Sequence, residues 1–143
     1  MKFRTLKQLV ELCEREGLTI GELMIREQAR ESGESAAEIV SRMASYYNVM
    51  KEAVRRGLSE DTTSRSGLTG NDAKRVWNYM KADATSAGPI ACEAMAYALA
   101  VSEVNASMGR IIATPTAGSC GIIPGVFVSA QQRFGWDDRR MVN

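Results

Sequence analysis

Apolar residues recur at helical spacing along most of this chain. In its first part, three such runs each begin with a hydroxyl residue followed three positions later by Gln or Glu, the pattern of a capping box. These pairs are Thr5 and Gln8, Thr19 and Glu22, and Ser35 and Glu38. The runs end at Gly17, Gly33 and Gly57, and glycine is typical of the position after a helix. The pattern predicts three helices within residues 1–57.

Two later segments are apolar on most faces, which is typical of helices buried in a core. The first runs from Ile90 to Met108, and the second from Ile122 to Phe134. Pro89 suits the first turn of the earlier one. The sequence therefore predicts an all-α fold. Residues 1–57 form a small N-terminal helical subdomain, and residues 58–143 hold buried apolar helices and a Gly/Ser-rich loop in a domain that we expect to be incomplete.

The composition is that of an ordinary globular protein. Of the 143 residues, 45% are apolar and 24% are charged, and the net charge is +1. The lack of a dense basic run argues against a nucleic-acid surface. No apolar run approaches the roughly 18 residues that a membrane span needs. The amphipathic opening segment differs from a signal peptide, so we expect a cytoplasmic protein without nucleic-acid or membrane partners.

The cysteines and histidines give little support for a metal site. Cys13, Cys92 and Cys120 are an odd number, and none of them forms a CxxC pair. Histidine, the commonest general base and metal ligand, does not occur in the sequence. We therefore interpret the three cysteines as reduced thiols.

The segment from Thr114 to Gly125 reads TPTAGSCGIIPG and is the most informative stretch of the chain. Gly118 and Gly121 permit backbone angles that other residues avoid. Successive backbone N–H groups in such a turn converge on an anion, and a helix that starts just after it adds its positive end. Thr116 and Ser119 supply further donors. The segment predicts a cradle for a carboxylate or phosphate; the alternative is a plain tight turn between buried helices.

A second polar segment, residues 58–70, is rich in Ser, Thr and Gly and is longer than a simple connector. Ser66, Thr69 and Asp72 could line the same pocket as the first loop or hydrogen-bond to it. The alternative for Ser66 and Thr69 is turn chemistry. Asn71 or Asp72 is expected to cap the helix that follows.

Three segments resemble the alpha chain of bacterial iron–sulfur-dependent L-serine dehydratases, which are L-serine ammonia-lyases. The first is the TPTAGSCGIIPG segment. The second, from Ser66 to Asp72, reads SGLTGND and is similar to the family's SGLTGGD. The third is the opening FRTLKQL at Phe3, followed by MIRE at Met24. Their order and spacing fit along the whole sequence, which resembles the N-terminal half of such an alpha chain.

The resemblance implies elimination of water from L-serine to give pyruvate and ammonia, with a 4Fe–4S cluster and without pyridoxal phosphate. The family's cluster cysteines lie in a second half that this sequence does not contain, and its catalytic base is expected on the beta chain. We therefore expect this segment alone to hold no cluster and to be inactive. Cys120 is not expected to be a ligand, because related sequences can carry alanine there.

Under this resemblance the two polar loops are expected to bind the substrate, whereas no catalytic residue and no metal ligand is assigned. The expected substrate-binding residues are Thr116, Ala117, Gly118 and Ser119 in the first loop and Ser66 and Thr69 in the second. The expected partners are L-serine, a beta chain or beta domain, and further copies of the chain, since its last helices are apolar on most faces. The alternative is a non-catalytic helical domain that docks onto a partner chain.

Overall fold

The computed structural model describes residues 3–82 and 85–142. Over these ranges the chain consists of helices and loops and contains no strand. In chain order the helices are α1 (Leu6–Glu16), α2 (Ile20–Ser32), α3 (Ala36–Ser59), α4 (Asp72–Lys81), α5 (Pro89–Ala106), α6 (Ser119–Phe134) and α7 (Asp138–Val142). The all-α fold predicted from the helical spacing is therefore confirmed.

Helices α2 and α3 begin at the capping boxes that the sequence predicts. At α2, the Thr19 hydroxyl accepts a hydrogen bond from the Glu22 N–H, and the Glu22 carboxylate accepts one from the Thr19 N–H. Ser35 and Glu38 make the same reciprocal pair before α3. Each pair satisfies backbone donors that a helix start leaves without partners.

Helix α1 has only half of the predicted box. The Thr5 hydroxyl accepts from the Gln8 N–H at 3.2 Å, but the Gln8 side chain accepts from the N–H of Arg4. The ends of α1 and α2 agree with the sequence pattern. Gly17 and Gly33 follow these helices with φ of 64° and 75°, a left-handed conformation that glycine adopts without strain.

Helix α3 does not end at Gly57, as the pattern predicted, but continues to Ser59. Gly57 lies buried within the helix. A Cβ atom there would lie 2.3 Å from the carbonyl oxygen of Ala100 and 2.6 Å from its Cα. The predicted helix end is wrong because this glycine lets α3 approach α5 rather than terminating α3.

The chain divides into two compact units. One comprises the described residues up to Ser45 together with Val142. Side chains of α1 and α2 form its core: Leu9, Leu12, Cys13 and Leu23. The other unit runs from Tyr46 to Met141 and contains α4, α5 and α6. The division falls within α3, and the proposed subdomain over residues 1–57 stays a prediction.

Helix α5 is the buried centre of the second unit, and α4 and α6 pack on it. Its buried residues are Cys92, Ala96, Tyr97, Ala100, Val101, Glu103 and Val104. Helix α6 runs antiparallel to α5, since Gly121 lies against Ser102 and Gly125 lies against Ala94. A Cβ atom on Gly125 would lie 2.7 Å from the backbone nitrogen of Ala98. The predicted buried helix of the second half is therefore confirmed, and glycines bring its neighbour close.

Helix α6 is buried on one side only. On its other side Ile122, Val126, Phe127 and Phe134 keep between 42% and 61% of their surface exposed. We call these four side chains the outer face of α6. Among the described residues, no helix combines the length and the apolar character that crossing a membrane requires.

Candidate functional site

A cluster of hydroxyl and thiol groups lies at the start of α6. The Thr114 hydroxyl is 2.5 Å from that of Ser119, and it also donates to the Cys120 sulfur at 3.4 Å. The Ser119 hydroxyl donates to the Thr116 carbonyl oxygen at 2.7 Å and accepts from the Thr116 N–H at 3.0 Å. Thr116 and Ser119 thus make reciprocal side-chain to backbone hydrogen bonds at the start of α6, and these bonds fix the conformation of the first loop.

The loop leaves two backbone donors open. The Ser119 N–H donates to the hydroxyl and the carbonyl oxygen of Thr116, at 3.2 and 3.1 Å. For the N–H groups of Ala117 and Gly118, no acceptor lies within the part of the chain that the structure describes, and both residues are exposed. These two N–H groups precede the sixteen-residue helix α6, whose N-terminus carries partial positive charge. The arrangement can bind an anion through Ala117 and Gly118.

Neither glycine of this loop has an unusual backbone angle, and only Gly121 is required for close packing. Gly118 has φ −66° and ψ −35°, which any residue adopts. Gly121 lies within α6, where a Cβ atom would come within 2.6 Å of the Ser102 hydroxyl oxygen. The expectation that both glycines are needed for their backbone freedom is wrong. The spacing of Gly121 and Gly125, four residues apart, is the sequence signal for this close helix contact.

The Cys120 thiol lies in the same cluster. A hydrogen bond from the Thr114 hydroxyl is the main cause that lowers the pKa of this thiol. The other two cysteines, Cys13 and Cys92, are buried. Within the described ranges, no group of three or more cysteine, aspartate or glutamate side chains is placed to hold a metal ion. The residues present therefore do not fit an iron–sulfur cluster, and we derive no chemistry through one from this chain.

The second predicted loop forms a compact turn. The Ser64 N–H donates to the Thr69 carbonyl oxygen at 2.8 Å, and the Thr69 N–H donates to the Ser64 hydroxyl. The Ser66 hydroxyl lies 3.2 Å from that of Ser64 and accepts from the Leu68 N–H. Ser66 therefore takes part in turn chemistry, while its exposure and that of Thr69 leave both accessible to a ligand.

Both loops lie at the C-terminal end of α5. The Arg65 N–H donates to the carbonyl oxygen of Ala106, the last residue of that helix. The start of α6 reaches the same end through Gly121, which lies against Ser102. Within the described residues no hydrogen bond joins the two loops, and what they share is their position beside this end of α5.

A buried carboxylate, which the sequence did not single out, organises the second loop. Glu103 of α5 is only 5% exposed. It accepts from the Asp72 N–H at 2.5 Å and from the hydroxyl of buried Thr62 at 3.3 Å. Asn71 stands at the capping position of α4, yet its side chain accepts from the Thr62 N–H instead of the helix. Glu103 therefore supplies the acceptor for α4 that the sequence assigned to Asn71 or Asp72.

Comparison with known proteins gives the class of this helical chain. The family model described as serine dehydratase alpha chain matches residues 15–143. Because this match covers most of the sequence, the chain belongs to the serine dehydratase alpha chain family.

Curated relatives agree with this membership. The chain is 35% identical over 140 residues to the probable L-serine dehydratase, alpha chain, of Bacillus subtilis (strain 168), covering 98% of this chain and 46% of that protein. It is 31% identical over 139 residues to the L-serine dehydratase, alpha chain, of Peptoniphilus asaccharolyticus, covering 97% and 48%. L-serine dehydratase TdcG of Escherichia coli (strain K12) is 32% identical over 131 residues, which cover 87% of this chain and 28% of that protein. The chain thus spans less than half the length of these relatives.

Proposed function

We propose that this chain forms the part of an L-serine dehydratase that holds the substrate carboxylate. The whole protein would eliminate water from L-serine and yield pyruvate and ammonia. Family membership supports the reaction. The proposed binding role rests on the backbone N–H groups of Ala117 and Gly118 at the start of α6, which have no acceptor within the described residues.

In this proposal the carboxylate oxygens of serine accept hydrogen bonds from the Ala117 and Gly118 N–H groups. The N-terminus of α6 favours the negative charge, typically by about 0.3–1 kcal/mol at an exposed site. The Thr116 hydroxyl, which donates to the Ser119 hydroxyl at 3.0 Å, can turn toward the ligand as a third donor. Ser66 and Thr69 are proposed to contact the same substrate from the second loop.

We further propose that the whole protein carries a 4Fe–4S cluster whose ligands lie outside this chain. The catalytic base is proposed to lie on a beta chain or beta domain, in keeping with the lack of histidine here. This chain alone would then bind substrate without turning it over. The proposed compartment is the cytoplasm, a reducing environment that suits the free thiols of Cys13, Cys92 and Cys120.

Replacing Thr116 by Val in the full dehydratase, assembled with its beta chain, tests the carboxylate site. We expect the KM for L-serine to rise about tenfold, since a hydrogen bond to a charged group is worth about 1.5–3 kcal/mol. Thr116→Ser, which keeps the hydroxyl, is the control and should retain the wild-type KM.

Because Thr116 also caps α6, the thermal midpoint of each variant is measured alongside its kinetics. A folded Thr116→Val enzyme with wild-type KM and kcat would show that the Thr116 hydroxyl does not donate to the substrate. An equal rise in KM for Thr116→Ser, which retains the capping hydroxyl, would assign the effect to the altered side-chain packing rather than to loss of the hydroxyl.

The outer face of α6 favours a second role, docking to a partner, because contiguous exposed apolar groups mark interaction surfaces. We expect the purified chain to self-associate through this face as concentration rises. Size-exclusion chromatography with light scattering measures its mass. Phe127→Glu should restore a monomer, whereas Leu68→Glu, a change at an even more exposed apolar residue that does not belong to the outer face of α6, should not. A wild-type chain that stays monomeric at all concentrations contradicts this prediction.

A further inference from the structure

We propose that a cleft between α3, α5 and α6 binds a small monocarboxylate with an apolar body. The cleft has a volume of about 380 Å³. It is lined by five side chains of α3, by Tyr97 of α5 and by three side chains of α6. All of these residues belong to the second compact unit. The volume lies at the lower end of the range of about 300–1,000 Å³ found for ligand pockets.

This cleft is separate from the proposed serine site. Its α6 residues, Val128, Gln131 and Gln132, lie in the second half of that helix, whereas the Thr116 to Ser119 loop lies at its start. Val128, the nearest of them in sequence, lies nine positions after Ser119, which corresponds to roughly 13 Å along the helix axis. A ligand in the cleft would therefore be a second molecule, distinct from the substrate in the loop.

The floor of the cleft is apolar and ordered. Val54, Tyr97 and Val128 are each at most 4% exposed, and Leu58 extends the same surface. The ring of Tyr97 packs against that of Trp77, with ring centroids 5.5 Å apart. An apolar ligand group that covers this floor removes hydrocarbon surface from water, which favours binding.

Two cations at the rim can hydrogen-bond to an anion through donors that their present carboxylate partners leave open. Lys51 and Arg55, one helical turn apart on α3, are cations, and within the described residues no carboxylate lines the cleft. Their partners lie outside it: Lys51 Nζ is 2.6 Å from Asp138 Oδ2, and Arg55 Nε is 2.8 Å from Glu52 Oε2. Both cations keep further N–H donors that a ligand carboxylate can use.

The amides at the rim supply one more donor. Both polar atoms of the Gln131 side-chain amide are already hydrogen-bonded: its oxygen accepts from the Tyr47 hydroxyl, and its nitrogen donates to Asp138. The oxygen of Gln132 accepts from the Tyr97 hydroxyl at 2.7 Å. This bond leaves the Gln132 Nε2 group without an acceptor in the described part of the chain. A carboxylate between Arg55 and Gln132 would thus meet a cation and a neutral donor above the apolar floor.

Phenylacetate and its neutral analogue phenylacetamide test this assignment. Titrations of the purified chain are followed by two-dimensional amide NMR. Phenylacetate is expected to give saturable shifts confined to the cleft residues of α3, α5 and α6, with a dissociation constant on the order of 1 mM. Phenylacetamide should bind about fivefold more weakly, and added salt should weaken the binding of phenylacetate alone.

Arg55→Met removes one cation from the rim and keeps an unbranched side chain at this position. It should weaken phenylacetate binding about fivefold, as expected for one exposed ion pair. Arg75→Met is the matched control, because Arg75 also pairs with a carboxylate three residues before it and lies outside the cleft. It should bind like the wild type. Equal affinities for phenylacetate and phenylacetamide, shifts outside the cleft, or titrations without saturation would each overturn the proposal. All three are measured on the wild-type chain, so they do not depend on whether the variants fold.

Discussion

Alanine in place of Gly57 is expected to destabilise the second unit by about 3 kcal/mol, near the upper end of what overpacking a core costs. The added methyl group would lie 2.3 Å from the Ala100 carbonyl oxygen and 2.6 Å from both its carbonyl carbon and its Cα. All three are backbone atoms of α5, so no side-chain rotation relieves the overlap. Urea unfolding followed by circular dichroism measures the change.

Gly118→Ala is the matched control for this experiment. Gly118 has an ordinary helical conformation, and a Cβ atom there meets nothing within 4 Å. Alanine should leave the free energy of unfolding unchanged or raise it slightly, because glycine is the poorer helix former. If Gly57→Ala unfolds at the same urea concentration as Gly118→Ala, the close contact between α3 and α5 is absent in solution.

Removing the carboxylate of Glu103 is expected to cost about 3 kcal/mol, since each buried donor left without an acceptor typically costs about 1–3 kcal/mol. Glu103→Ala would strand the Thr62 hydroxyl and the Asp72 N–H at the start of α4. It would also remove the hydrogen bonds that hold both ends of residues 62–72, the segment that contains the second candidate loop. Loss of amide protection in this segment, measured by hydrogen exchange, is the specific readout.

Two further variants separate the role of Glu103 from a general loss of charge. Glu103→Gln keeps one oxygen acceptor in place and should lose less than half as much stability as Glu103→Ala. Glu60→Ala removes an exposed carboxylate that pairs with Arg56, and it should unfold almost as the wild type does. An unchanged exchange pattern in Glu103→Ala would show that this carboxylate does not organise the loop.

Features set by neighbours in sequence could be predicted from the chain. The boxes at Thr19 and Ser35 depend on residues three positions apart, and the glycine ends of α1 and α2 depend on one local angle. The buried α5 follows from its predominantly apolar composition. The hydroxyl-rich loop before α6 is also a local feature, since its threonines, serine and glycines are adjacent in sequence, and these residues alone mark it as a candidate site.

Features set by residues distant in sequence could not be predicted. Glu103 caps α4 from thirty-one positions away, and no local pattern distinguishes it from a surface glutamate. Gly57 looks like a helix end in sequence because its packing partner, Ala100, lies on another helix. The role of Gly118 was misjudged for a related reason: glycine permits unusual angles, but only the folded chain reveals whether it uses them.

The contacts of α5 with the glycines beside it also determine which second mutations can rescue a first. An overpacked core is often repaired by a smaller residue opposite the new side chain. At Gly57 and Gly125, however, the opposing atoms are backbone atoms of Ala98, Ala94 and Ala100, which every amino acid shares. No replacement in α5 can remove them, so suppressors of Gly57→Ala or Gly125→Ala must arise elsewhere, where they strengthen the fold as a whole. A genetic selection for revertants would therefore return true reversion or distant stabilising changes, and not compensating changes in α5.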